Sequence, residues 1–418
     1  MCKSLHVSIL CLYYGVFMQH EALTAGRPDL IEEIVKEIQT SGPITFARFM
    51  ELALYHPEFG YYMSGEVTSG GLDRDRIGWD GDYYTSSDVH PVLGQAMAKQ
   101  VQQVDERLGH PDPFTVVEMG AGKGLLARDL LAECAQSASF FRRLRYVLIE
   151  RSPTMRAVQE KNLAPWRDEP GRLEWADSLN AIDSANLAGI FFSNELVDAF
   201  PVHRVRIERR EAREIYVAVE NERFVERLGE LSTTDLSRYL ERIGLAAESF
   251  PDGFTTEINL QAVAWMKEVA RVLDRGIVMT IDYGHTAKDL YSLDRQKGTL
   301  LCYYHQMASE DPYARVGRQD MTAHVDFTTL ATVGEEHGLH MAGFTNQMSF
   351  LMAWGVEETL NALAPGSADF QSIVQLLRPD GMGRTFKILI QHKGLERPEL
   401  DGLRFKPFFG SALAATRR

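Results

Sequence analysis

The hydrophobic positions of the chain follow a helical period first and a strand-and-helix alternation afterwards. Leu30, Ile31, Ile34, Val35 and Ile38 form one stripe over Pro28–Thr40, and Ser41-Gly42-Pro43 stops it. Phe46, Phe49, Met50 and Leu52 predict a second helix over Ile44–Leu54. A third, opened by Pro91, carries Val92, Leu93, Ala96, Met97, Val101, Val104 and Leu108 on one face. An aromatic turn over Tyr55–Tyr62 and a loop rich in Gly, Ser, Asp and Arg over Ser64–Gly81 separate the last two. From residue 114 short apolar runs take over. Phe114–Val117, with Glu118 ending it, then Arg145–Glu150, Leu173–Leu179, Ala188–Ser193 and Gly276–Tyr283 read as strands. Helical spacing follows them at Leu126–Cys134, Pro153–Leu163 and Gln261–Leu273. Such alternation predicts an α/β fold, a parallel sheet covered by helices on both faces.

Further on, Val202–Val205 either extends that sheet or begins an excursion. Arg206–Phe250, charged and mixed, predicts a small β-ribbon and a helix. Phe327–Glu336 and Ser349–Leu363 read as helices, and Arg384–His392 as a late strand able to close the sheet. The chain thus divides into an extension over 1–26, a helical arm over 27–110, and a core over 111–205 and 261–392. The core carries an inserted cap around 285–380; an insertion spans 206–260, and a tail runs from 393 to 418.

Composition narrows the class. The 418 residues hold 44 Lys and Arg against 58 Asp and Glu, a net charge of −14, which argues against a nucleic-acid backbone as the main partner. The four cysteines, Cys2, Cys11, Cys134 and Cys302, show no metal-ligand spacing and fit a reducing, cytoplasmic compartment. The histidines do not cluster; His337 and His340 share a helix face at best and read as surface. Lys3 and the apolar run Leu5–Met18 imitate a secretory leader ending near Leu23-Thr24-Ala25, too short for a membrane span. An over-extended start, with Met18 as the natural first residue, is the expectation that suits the rest of the chain.

The chemistry gathers around Glu118-Met119-Gly120-Ala121-Gly122-Lys123-Gly124. Strand, glycine turn and helix bring backbone N–H groups toward a ligand. A dinucleotide fingerprint needs a small residue five positions after its first glycine; here that position is Leu125. The E-x-G-x-G-x-G pattern instead resembles the first motif of class I methyltransferases, which bind S-adenosylmethionine (SAM). Another nucleotide ligand, as in an oxidoreductase, and a plain tight turn are the alternatives. In this fold ligands lie beyond the carboxyl ends of the strands. Glu150 there can accept from both ribose hydroxyls, and Asp177 with Ser178 can meet an adenine amino group; helix-end charge and turn capping are the ordinary roles of such residues. Asn194, Glu195 and Asp198, after the fourth strand, place an amide and two carboxylates at the same edge, suited to a guanidinium.

Wider motifs sharpen the likeness. Gly42-Pro43-Ile44-Thr45-Phe46, Tyr55-His56-Pro57, Tyr84-Thr85-Ser86, Asn194-Glu195-Leu196 with Asp198-Ala199-Phe200-Pro201, Ile281-Asp282-Tyr283-Gly284 and Asp320–Phe327 resemble the MidA family of class I methyltransferases. The matching pieces span residues 42 to 390; Met119 replaces an expected aromatic residue and Lys123 a small polar one. The resemblance implies a Rossmann-like sheet with a helical arm and cap, and SAM held by Glu118, Gly120, Gly122, Gly124, Glu150, Asp177, Ser178, Asn194 and Thr85. It implies Glu195 and Asp198 at the acceptor, with His324 as a proton acceptor or a satisfied structural histidine. Eukaryotic members are mitochondrial and methylate an arginine of a respiratory complex I subunit, so the expected acceptor is a protein arginine. A SAM-binding assembly factor that acts by partner binding is the other outcome the resemblance allows. Stable membrane insertion and a metal are not expected.

Overall fold

The computed structural model describes residues 26–65, 78, 81–82, 84–167, 172–182 and 186–405. The leader-like run, most of the Gly- and Ser-rich loop and the last residues of the tail lie outside the described residues. Helix Pro28–Ser41 buries Leu30, Ile34 and Ile38 and ends at Gly42, whose φ of 84° only glycine adopts freely. Strand β1 (Ile44–Thr45) then precedes helix Phe46–Tyr55, so the second predicted helix starts two residues late. Thr45 explains the shift. Its side chain accepts from the Arg48 N–H and caps the helix. The third helix runs Val92–Arg107 with the predicted face buried.

The core strands follow: β2 (Phe114–Met119), β3 (Leu144–Ile149), β4 (Leu173–Ala176) and β5 (Ala188–Asn194). Glu118 lies inside β2 rather than ending it, and its side chain is buried. The chain then leaves the sheet. Strands β6 (His203–Glu208), β7 (Glu211–Glu220), β8 (Arg223–Gly229) and β9 (Thr255–Ile258) pair antiparallel, and β1 adds to the edge of β7. Arm and insertion, far apart in sequence, therefore share one sheet. Val202 belongs to this excursion.

Strand β10 (Arg275–His285) returns to the core. A three-stranded ribbon follows, of β11 (Leu301–Tyr304), β12 (Met307–Ser309) and β13 (Asp320–Thr322), and then the short β14 (Val325–Asp326). Helix Phe327–Glu336 leads to β15 (His340–Asn346), and β16 (Phe386–Lys393) closes the sheet. Its order is β15-β16-β10-β5-β2-β3-β4. Strands β2, β3, β4, β5 and β10 are parallel, and β16 is antiparallel to both its neighbours. Two expectations change here, and one helix is added. His340 opens a strand instead of sharing a helix with His337. The predicted helix Ser349–Leu363 is two helices, Gln347–Ala353 and Val356–Ala362, parted at Gly355 with φ 84°. Helix Ala368–Leu377 was not legible as a separate element.

Helices cover both faces. Leu93, Met97, Leu126, Leu130, Ile190 and Phe192 pack on one side, and Val117, Phe191, Trp265, Met266 and Phe327 on the other. The fold is a Rossmann-like α/β sheet with a helical arm and a cap. Pairing register puts Met119 beside Ile149 and Ser193, and Asn194 beside Ile281. The next residues of four strands, Gly120, Glu150, Glu195 and Asp282, thereby emerge together at one sheet edge.

Candidate active site

A cavity of about 240 Å3 opens at that edge. Its floor is the glycine turn. Gly120, Gly122 and Gly124 have φ of 74°, 51° and 75°, so a side chain at any of them is strained. A Cβ on Gly120 would also stand 2.8 Å from Leu196 Cδ1. The turn leads into helix Leu125–Cys134, whose first N–H groups have no partner within the helix. Met119 receives the Trp265 indole N–H at its sulfur, 3.3 Å away, so the apolar slot accepts it in place of an aromatic ring. Lys123 does not run to solvent: its Nζ is 2.6 Å from Asp88 Oδ1. That pair ties the turn to the segment holding Thr85, whose N–H and Oγ1 both donate to Asp88 Oδ2 at 3.0 and 2.9 Å.

Glu118 and Glu150 form two acid stations along the cavity. Glu118 accepts from the Tyr146 hydroxyl at 2.6 Å, and burial pushes its pKa up to about 7 against that hydrogen bond. Glu150 accepts from the Ser152 N–H at 2.8 Å and from Gln159 Nε2 at 3.0 Å. Gln159 also donates to the Gly122 carbonyl at 2.8 Å and so locks turn and carboxylate together. Glu150 keeps lone-pair sites for hydroxyl donors.

The far end is acidic. Glu195 sits at φ 53°, a left-handed conformation that costs a non-glycine residue energy and marks a held geometry. Burial, then the charge of Asp198, pushes its pKa up to about 8. The strained turn is held from below. Asp282 Oδ2 accepts the N–H groups of Leu196, Val197 and Asp198 at 3.3, 2.9 and 3.3 Å, and Oδ1 accepts that of Tyr283 at 2.9 Å. Burial and the charges of Asp198 and Glu195 drive Asp282 upward, while these N–H donors pull it down. Asp198 is buried near Tyr283 and raised by burial; among the described residues its Oδ1 has no partner, like Asn194 Oδ1. Asp320 accepts from the Tyr62 hydroxyl at 2.6 Å, and burial lifts it to about 7.

Of the residues singled out in the sequence, Thr85, Glu118, Gly120, Gly122, Glu150, Asn194 and Glu195 line this one cavity. Gly124 forms the end of the turn behind it, and Asp198 backs the wall. Three residues lie elsewhere. Asp177 has 82% of its side chain exposed and pairs with Arg156 at 2.6 Å, and Ser178 is exposed beside it. The chain turns outward after β4, the short sheet-edge strand, so neither reaches the cavity. His324 lines a separate cavity with His285 and Lys387. Sequence reasoning gave no role to Asp282, Tyr62 or Gln159. Asp282 was present in a motif as an acid beside an apolar run, and Asp320 opened the segment expected to line the acceptor channel. Gln159 carried no signal, since a helix glutamine is ordinary.

The residues present fit SAM: a glycine turn open to close approach, a strand-end carboxylate with free lone pairs, and buried acceptors without partners at Asn194. Comparison with known proteins agrees. A family described as S-adenosyl-L-methionine-dependent methyltransferases matches residues 93–345. A crystal structure from Burkholderia thailandensis, solved with S-adenosyl-homocysteine bound, superposes with a TM-score of 0.80 at 28% identity, covering 91% of this chain and 95% of that one. The native structure of a protein from the same species gives 0.76 at 29% identity, covering 90% and 94%. The mitochondrial protein arginine methyltransferase NDUFAF7 homolog of Drosophila melanogaster is 26% identical over 90% of this chain and 88% of its own length. Human NDUFAF7 is 23% identical over 98% and 95%. With more than half of its length matched to the family and its cavity built for the cofactor, the chain belongs to the SAM-dependent methyltransferases, and the oxidoreductase alternative falls away.

Proposed function

We propose that this methyltransferase acts on an arginine side chain of a protein substrate. The observation that carries the reading is the group of buried carboxylates, Glu195, Asp198, Asp282 and Asp320, gathered at one end of the cofactor cavity. Burial, and then the neighbouring charges, hold these carboxyls partly protonated, and a guanidinium entering beside Glu195, the one of the four that lines the cavity, would let it ionise. Its planar fork suits bidentate carboxylate contact. Bound SAM supplies an electrophilic methyl group on a sulfonium. Glu195, at the cavity wall, orients the guanidinium and takes the proton that its nitrogen must lose as the methyl arrives, because arginine is fully protonated in water. Asp198 adds negative charge behind it. Glu118 offers its carboxylate to the cationic amino group of the cofactor, and Glu150 to ribose hydroxyls. The names of the relatives, protein arginine methyltransferases, support the same acceptor. Among the described residues no helix is long and apolar enough to cross a membrane.

The test is methyl transfer from labelled SAM to proteins of a matched cell extract, with the modified residue read by mass spectrometry. Methylarginine, lost in Glu195→Gln while SAM binding persists, is the expected result. Label on another residue type, or full transfer by Glu195→Gln, would overturn the reading.

A further inference from the structure

A second cavity, about 390 Å3, lies on the other side of Tyr283 from the acidic cluster. Gly284 and His285 at the end of β10, His324 before β14, and Arg384 and Lys387 at the start of β16 line it. The rings of His285 and His324 are 5.1 Å apart, and His324 contacts Tyr283 edge-on at 5.6 Å. Behind His285 stands Arg295, whose Nη2 is 3.1 Å from His285 Nε2. A guanidinium can only donate, so that nitrogen accepts and the ring's remaining hydrogen is on Nδ1. His324 Nδ1 is buried with no hydrogen-bond partner among the described residues. Lys387 spends two of its three donors, on the carbonyls of Arg384 and Thr385, and keeps one. The only carboxylate lining the cavity among the described residues, Asp289, accepts from Thr286 Oγ1 at 3.0 Å. Asp326, opposite His285 in the β10–β14 pairing, is taken up by Thr328, Thr329 and Tyr239. Donors and cations thus outnumber acceptors in this space, where Asp289 is the one carboxylate among the described residues and acts on Lys387.

We propose that this cavity is an anion site, which takes a carboxylate or phosphate group between Lys387 and the two histidines, with Arg295 adding its positive charge from behind His285. The electrostatics of the empty cavity agree with the geometry. Burial, then Arg295, lowers Lys387 to about 8 and His285 to about 3, and burial with Arg295 and Lys387 lowers His324 to about 4. An anion among them reverses these shifts, so it binds with uptake of protons and binds more tightly at lower pH. The site needs no arginine acceptor, so it stands or falls apart from the proposed substrate.

The experiment is calorimetric titration of the full chain with inorganic phosphate and, separately, with acetate, at constant ionic strength and at pH 6.5 and 8. The expected result is one saturable site for at least one of these anions, at least tenfold weaker in Lys387→Gln and in Arg295→Gln, and tighter at pH 6.5. Tighter binding of phosphate points to a free phosphate or phosphoryl ligand, and tighter binding of acetate to a carboxylate side chain or terminus. SAM binding by both variants confirms that they fold, and if Lys387→Gln does not, Arg295→Gln decides alone. No saturation by either anion, or equal affinity in the folded variants, overturns the proposal.

Discussion

Asp282 is the residue through which the active-site turn can be weakened without touching the cavity lining. In Asp282→Ala the N–H groups of Leu196, Val197 and Asp198 lose their acceptor. Val197 is fully buried and Asp198 nearly so, which leaves no route to water. An unsatisfied buried donor costs about 1–3 kcal/mol. The bond to Val197, at 2.9 Å, carries most of this, and those at 3.3 Å carry less. Removing a carboxyl that Asp198 and Glu195 repel offsets part of the loss. The net expectation is about 2–4 kcal/mol, a large share of the roughly 5–15 kcal/mol that holds a domain together. Asp282→Asn keeps one oxygen for the three N–H groups but turns its amide donors toward the Tyr283 N–H, so about 1–2 kcal/mol is expected. Urea unfolding of the three proteins measures the difference from the midpoint and slope. SAM titration reads the same damage at the cavity, because Asn194, Glu195 and Leu196 line it. The order of stability should be parent, Asn, Ala. An alanine variant within about 0.5 kcal/mol of the parent, with unchanged SAM affinity, would refute the idea that Asp282 holds the turn.

Other outcomes follow from the same geometry. Gly122→Val should abolish SAM binding in calorimetry, since a β-branched residue at φ 51° distorts the turn; wild-type affinity would mean that the turn is not the floor of the cofactor site. Asp177→Ala should leave SAM affinity within about twofold, because only an exposed ion pair with Arg156 is lost and such pairs contribute about 0–1 kcal/mol; a tenfold loss would restore Asp177 to the adenine. Thermal stability of the ligand-free protein should fall between pH 6.5 and 8. Glu118 and Asp320 at about 7 and Glu195 at about 8 still hold protons there that the unfolded chain has released, so folding is favoured less as pH rises. Below that window the lowered histidines act in the opposite direction, and above it Lys387 does. A midpoint that rises from pH 6.5 to 8 would refute the assignment of raised carboxyls.

Local signals settled the core of the fold. The apolar runs at Phe114, Arg145 and Ala188 became β2, β3 and β5 within a residue or two, because a strand buried on both faces needs unbroken apolar residues. The glycine turn was equally legible, since its three positive φ angles demand glycine at those positions. Capping was less so. Thr45 moved the start of the arm's second helix, and Gly355 split a helix whose apolar spacing runs on across it. The cap was the hardest to read: the ribbon β11–β13 is short and half-buried, with no sustained period to betray it.

By itself, then, the sequence determined the sheet's inner strands, the cofactor turn and the acids at the strand ends, for these depend on residues near one another in the chain. Tertiary structure alone decided which acids meet. Parallel register brings Glu150, Glu195 and Asp282 to one edge, while the outward turn after β4 leaves Asp177 on the surface with Arg156. Long-range pairing also brings Asp320 and Tyr62, 258 residues apart, together beside the cavity, and places His324 behind Tyr283. Which carboxylates face a ligand and which face water is set by register and packing, and neither can be read from a spacing of a few residues.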